Sequence, residues 1–143
     1  MQALDDPNTV VTAAIYGFGA LGDPRGVPKL AHPLQFDGIG VSAAHSLKSL
    51  GDTGKTALEM AVASGPPMAQ AHAIDALADL GDKSHLDLLR RLAHDEDGTV
   101  RAAAVYGLND YLPESLPDLQ AAENDGDPRV TRWARLGGLP KAR

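Results

Sequence analysis

Residues 76–82 read Ala-Leu-Ala-Asp-Leu-Gly-Asp: the end of an apolar helix followed by Leu80-Gly81-Asp82. The same ending recurs as Leu21-Gly22-Asp23 and as Leu50-Gly51-Asp52. In each copy the leucine is placed to close a buried face, and the glycine can take the left-handed conformation that terminates a helix. The aspartate then opens the following turn. A helix-stop signal repeated in this way predicts a stack of helix pairs.

Working outward, the first helix of each pair opens on an apolar residue: Val10, Ile39, Ala69, Val100 and Val130, separated by 29, 30, 31 and 30 positions. Four residues after each opener stands an alanine: Ala14, Ala43, Ala73, Ala104 and Ala134. Eight after stand Phe18, Leu47, Leu77 and Leu108, the series failing at Gly138. Eleven after stand Leu21, Leu50, Leu80 and Tyr111, failing at Lys141. Offsets of 0, 4, 8 and 11 trace one face of an α-helix, and a small residue in its middle lets a neighbouring helix approach closely. The copies divide a single repeat domain, 1–143, into units of approximately 7–36, 37–64, 65–95, 96–125 and 126–143.

Helix starts carry signals of their own. Asp6-Pro7 and Asp127-Pro128 place an N-cap acid before a proline at the first helical position, where its missing N–H costs nothing. Asp37 and Asp97 serve their copies less neatly, and the third copy uses Ser64-Gly65-Pro66-Pro67. The second helices are expected near Val27–Phe36, Lys55–Ala63, His85–His94 and Leu116–Glu123. Pro28 and Pro117 fall in a first turn, where proline is tolerated, whereas Pro33 lies too far in and should shorten or kink its helix. In the third pair Leu86, Leu89, Leu92 and Ala93 are expected inward, and Asp87, Arg90, Arg91 and His94 outward. Met1-Gln2-Ala3-Leu4 aligns with the tail of a preceding second helix, and the chain stops after the first helix of a fifth unit. A solenoid needs polar caps, so the chain reads as a piece of a longer protein. The alternative is that a partner or a second copy covers its uncapped ends.

The alanine- and leucine-rich composition, poor in aromatics, suits helix-on-helix packing. A net charge of −6 disfavours nucleic acid as a partner. The last fifteen residues are an exception, holding Arg129, Arg132, Arg135, Lys141 and Arg143 with no acid. Without cysteine there is no disulfide framework, which is compatible with the cytoplasm as the expected location. No run approaches the roughly 18 apolar residues of a membrane span, and no signal-peptide pattern opens the chain.

Asp97-Gly98-Thr99-Val100-Arg101 through Leu108, and Leu21-Gly22-Asp23-Pro24-Arg25-Gly26-Val27-Pro28, resemble the start and the turn of HEAT-like repeats of the phycobilisome-lyase type. The resemblance covers essentially the whole chain. It implies an all-α solenoid: nine helices in a right-handed superhelix of about four and a half repeats. The arginine after the opening valine occurs here only as Arg101, its counterparts being Val11, Gly40, Gln70 and Thr131, so no regular arginine–aspartate ladder is expected. The hydroxylase built on this repeat type carries histidine–glutamate pairs. None of His32, His45, His72, His85 and His94 is followed by glutamate, so that activity is disfavoured.

Other chemistry-like motifs have simpler readings. Gly17-Phe18-Gly19-Ala20-Leu21-Gly22 satisfies a dinucleotide fingerprint, but Pro24, Gly26 and Pro28 follow where that motif needs a helix to begin. Gly51-Asp52-Thr53-Gly54-Lys55-Thr56 resembles a phosphate loop, yet its first glycine would fall on Ser49. Asp95-Glu96-Asp97 lacks the alternating oxygen ligands of a calcium loop and reads as a cap. His45 and His72 read as half-buried hydrogen-bond partners. No catalytic constellation is present, and neither a cofactor nor a metal is expected.

The leading function is a non-catalytic protein-binding scaffold, with second helices lining a concave face. Its candidate contacts are Lys29, His32, Lys55, Glu59, Asp87, Arg90, Arg91 and His94. A secondary candidate is the final helix, where Arg129, Arg132 and Arg135 share a side with Trp133. There the simpler reading is a solvated face or pairing with acids of the preceding repeat. Trp133 is expected over an exposed end or at an interface. The resemblance also implies an alternative role, as accessory subunit of a bilin-chromophore lyase or another cofactor-handling enzyme.

Overall fold

The computed structural model describes residues 7–136, and these are all-helical. Nine α-helices follow one another among the described residues: α1 (Pro7–Leu21), α2 (Val27–Ala31), α3 (Gly40–Ser49), α4 (Asp52–Ser64), α5 (Pro67–Asp79), α6 (Ser84–Leu92), α7 (Gly98–Leu108), α8 (Leu116–Ala122) and α9 (Pro128–Arg135). Short 3-10 turns occupy Pro24–Gly26, His32–Gln35 and Asn109–Tyr111. Met1–Leu4, Asp6, Gly138, Lys141, Arg143 and the Val10 side chain, all invoked above, lie outside the described residues.

The chain packs as two compact units, residues 1–76 and 77–143, the division falling inside α5. In the first unit α1 lies on α3, and α2 packs against both α3 and α4. In the second unit α7 lies on α6 and on α9, and α8 packs against both α7 and α9. In each unit, therefore, a first helix touches the first helix of the next repeat, with a second helix alongside.

The glycines of the repeated ending behave as predicted: Gly22, Gly51 and Gly81 have φ of 63°, 64° and 66°. Asp23 and Asp82 open the turns that follow, each accepting a hydrogen bond at 2.9 Å from the backbone N–H two residues on, at Arg25 and Ser84. The second copy differs. Asp52 is already the first residue of α4, so that helix begins three residues ahead of the expected Lys55. A carboxylate in the first turn favours such an early start.

The leucines of the ending do not close the buried face. Leu21 is 78% exposed, Leu80 is 42% exposed and Leu50 is half-buried; among the described residues only Tyr111 at this offset is buried. One residue before the chain reverses, the leucine lies past the last turn that a neighbour covers. Sealing falls to the residue three earlier: Leu47, Leu77 and Leu108 are at most 1% exposed. The alanine column is buried in four copies, Ala43, Ala73, Ala104 and Ala134, but Ala14 is exposed. Among the described residues α1 packs mainly on α3, through the side that carries Ile15 and Gly19, while Phe18 meets Gly26 and Lys29. A methyl group added to Gly19 would meet Ser46 Cβ at 2.9 Å, so the two helices are in close contact there. Ala44, Ile74 and Val105, at offset five, are buried as well, making the covered face wider than the stripe read from the sequence.

Caps and breaks follow local chemistry. Asp97 accepts from the N–H groups of Thr99 (2.7 Å) and Val100 (3.4 Å), a better cap than expected. Asp37 does not cap α3; the cap position is Ile39, and Asp37 accepts from the Gly38 N–H at 3.0 Å. The α-helical part of the first second helix stops at Ala31, and His32–Gln35 continue as 3-10, the interruption expected of Pro33. Pro28 and Pro117 sit in first turns.

Candidate protein-interaction site

The helix α6 is sharply divided between a buried and an exposed face. His85, Leu89 and Leu92, spaced four and three apart, form its buried side. Leu86 and Ala93, expected inward, lie one position further round and are half-buried; His85 was not anticipated inside. Asp87, Arg91 and His94 are exposed as expected. Arg90 is held within its own chain: Nε donates to Asp118 Oδ2 at 3.0 Å, Nη2 to the Glu114 carbonyl at 3.2 Å, and Nη1 to Asp87 at 3.4 Å.

An open groove of about 240 Å³ lies between the residues that directly follow α6, Ala93 and His94, and α8; it is called the α6/α8 groove below. Ala93, Ala121 and Ala122 give it a shallow apolar lining, while His94, Asp118 and Asp125 supply polar walls. Both carboxylates are fixed. Asp118 accepts from Arg90, and Asp125 takes Arg101 in a two-point pair, Nε–Oδ2 at 3.0 Å and Nη2–Oδ1 at 3.2 Å. Hydrogen bonding from Arg101 holds the Asp125 carboxyl below its usual range, and Asp125 in turn raises the Arg101 guanidinium. Two further donors of Arg101 geometry come from one nitrogen, Nη1, which bonds the carbonyls of Asp95 and Glu96 at 2.9 Å. The groove walls are therefore rigid and charge-balanced. Sequence reasoning missed Asp118 and Asp125 as wall residues. The available signal was Asp125-Gly126-Asp127, which stands 30 positions after Asp95-Glu96-Asp97. In both triplets the first aspartate accepts from the N–H of the second, at 2.7 and 2.9 Å, and the second caps a helix.

The remaining candidates fall into separate groups. In the first unit, Lys29 Nζ lies 5.2 Å from the centroid of the Phe18 ring. His32 packs edge-on against Phe36 with centroids 5.2 Å apart, and its Nδ1 is 3.0 Å from Gln35 Nε2. Lys55 is half-buried near the start of α4, and Glu59 is exposed one turn later. On α9, Arg129 grips Asp127 of its own repeat (2.7 Å) and hydrogen-bonds a hydroxyl of the preceding repeat, Thr99 Oγ1 (3.1 Å), in place of the expected acid there. Arg132 lies 5.3 Å from the Trp133 ring and Arg135 is exposed. Trp133 does not cover an open end: it is half-buried against Tyr106 of α7, centroids 4.6 Å apart.

The motifs set aside above take their structural places. Gly17 and Gly19 lie inside α1 and Gly22 ends it, while Gly54 lies inside α4. His72 is half-buried and its Nδ1 donates to the Leu34 carbonyl at 2.8 Å. His45 is exposed, contrary to expectation, because offset six points away from the alanine column.

The second unit contains a titratable cap. Asp127 is lowered to about 2, chiefly by the Arg129 side chain and then by the Arg129 N–H. A carboxylate depressed from 3.8 stabilises the fold above its unfolded value and loses that contribution as the pH falls toward 2. Docking of α9 should therefore weaken from about pH 4 to about pH 2, with a change in fluorescence of Trp133, the sole tryptophan. Asp127→Asn should flatten that part of the titration; an unchanged curve would contradict the assignment.

Helix pairs repeating at about thirty residues, with a small-residue column inside and exposed polar second helices, define an α-helical repeat protein. The profile for HEAT repeats matches residues 54–137, more than half of the 143 residues. The chain belongs to the HEAT-repeat family, an α-solenoid class whose members commonly mediate protein interactions. No curated protein matches the sequence. No described helix is long and apolar enough to cross a membrane.

Proposed function

We propose that the protein is a non-catalytic binding module that receives a segment of a partner polypeptide in the groove between α6 and α8. The supporting observation is the groove itself: an alanine lining that admits a backbone closely, between polar walls held in place by Arg90 and Arg101. Pre-ordered walls lose little entropy on binding. His94 offers ring nitrogens to a bound chain, while exposed Asp87 and Arg91 on α6 bring charges of both signs, so recognition is polar and sensitive to salt.

The test is selection from a random peptide library on the wild-type chain, with Ala121→Trp as the counter-target. Ala121 is exposed, so the larger side chain fills the groove without entering the core. Peptides retained by the wild type and lost by Ala121→Trp are expected. Selected peptides that bind both proteins equally would place recognition elsewhere.

A further inference from the structure

A second cleft, of about 370 Å³, opens in the first unit between α1 and the turn that leads into α3, lined by Thr12, Phe36, Asp37, Gly38 and Ile39. Its chemistry differs from that of the α6/α8 groove. Phe36 is a large aromatic left 44% exposed, with His32 packed edge-on against it. The neighbouring Asp37 is exposed, and Oδ1 accepts from the Gly38 N–H at 3.0 Å. No cation among the described residues pairs with that carboxylate, and Oδ2 points to no described donor. An aromatic face beside an unpaired carboxylate attracts a cation twice over, through the ring quadrupole and through direct charge. The same unit already contains one such contact, Lys29 over Phe18.

We infer that this cleft is a binding site for a lysine or arginine side chain presented by a basic segment of a partner protein. The alkyl stem lies against Ile39 and the Phe36 ring, and the charged head meets Asp37. The cleft admits a long side chain with its flanking backbone, and the exposed Asp37 carboxylate opposes a nucleotide's phosphates. Charge selects the partner: the chain carries a net charge of −6, which favours approach of a basic segment and opposes an acidic one. The site lies in a different unit from the α6/α8 groove and does not depend on it, so either can fail alone.

The experiment is an NMR titration of the full chain with acetylated tetralysine amide, following backbone amide shifts. Saturable shifts centred on residues 36–39 are expected, with affinity falling about tenfold in Asp37→Asn and in Phe36→Leu. Glu123→Gln removes the same charge from an exposed position elsewhere and should leave the affinity unchanged. Two outcomes would overturn the inference. One is a set of shifts spread over the acidic surface with Asp37→Asn and Glu123→Gln equivalent; the other is the absence of saturable shifts at 36–39. Spectra of the variants that retain wild-type dispersion exclude unfolding as the cause of a lost signal.

Discussion

Gly54→Ala is expected to destabilise the protein by about 3 kcal/mol, the upper end for overpacking. In an exposed helix the same change would stabilise by about 1 kcal/mol, because alanine loses less backbone entropy than glycine. The sign reverses here because Gly54 is buried where α4 passes the end of α3. A Cβ at this position would strike the carbonyl oxygen of Leu47 and come within 3.1 Å of Leu50 Cβ. Two residues join α3 to α4, one of them the left-handed Gly51, so the obstructing carbonyl cannot retreat without disturbing that turn. Urea unfolding followed by circular dichroism measures the effect. A stabilised variant would show that α3 and α4 do not meet in this way.

Leu89→Ala should cost about 2–5 kcal/mol, near the upper end of that range. Leu89 is 1% exposed, and its methyl groups lie 3.2 and 3.4 Å from where a Cβ on Gly107 would stand. Gly107 has no side chain to swing into the space left behind, and Ala78 on its other flank is fully buried. The void therefore remains, and with it the cavity contribution that separates severe truncations from mild ones.

Much of this architecture was legible because helix periodicity and helix termination are local. The alanines at offset four and the glycines at positions 22, 51 and 81 obey constraints set by a few neighbouring residues, and both were placed correctly apart from Ala14. Ala14 failed because burial belongs to the pair of helices and not to one helix. Among the described residues α1 packs mainly on α3, through the side that carries Ile15 and Gly19, and Ala14 lies off that side. Leu21 and Leu80 failed for a related reason: offset arithmetic continues past the point where the neighbouring helix stops.

The α6/α8 groove was only half visible. His94 and the exposed side of α6 follow from amphipathicity, whereas Asp118 and Asp125 become wall residues only when Arg90 and Arg101 reach across 28 and 24 positions. Asp125 does repeat the place of Asp95 thirty positions earlier, but its partner Arg101 has no counterpart in the other copies, and Asp118 has no repeated signal of its own. Gly54 shows the reverse difficulty. It sits in a string that resembles a phosphate loop, and its actual role, clearing the path of a neighbouring carbonyl, leaves no local signature.

α6 is a two-faced rod, with one side buried against α7 and the other turned to solvent, and the proposed function requires both faces to be assigned correctly. Asp87 is two residues from Leu89, and its side chain is 91% exposed. Equilibrium urea unfolding, read by the fluorescence of Trp133 in the same unit, compares the two positions directly. A loss of about 2–5 kcal/mol is predicted for Leu89→Ala and a change within about 0.5 kcal/mol for Asp87→Ala. Equal losses at the two positions would contradict the assigned faces of α6.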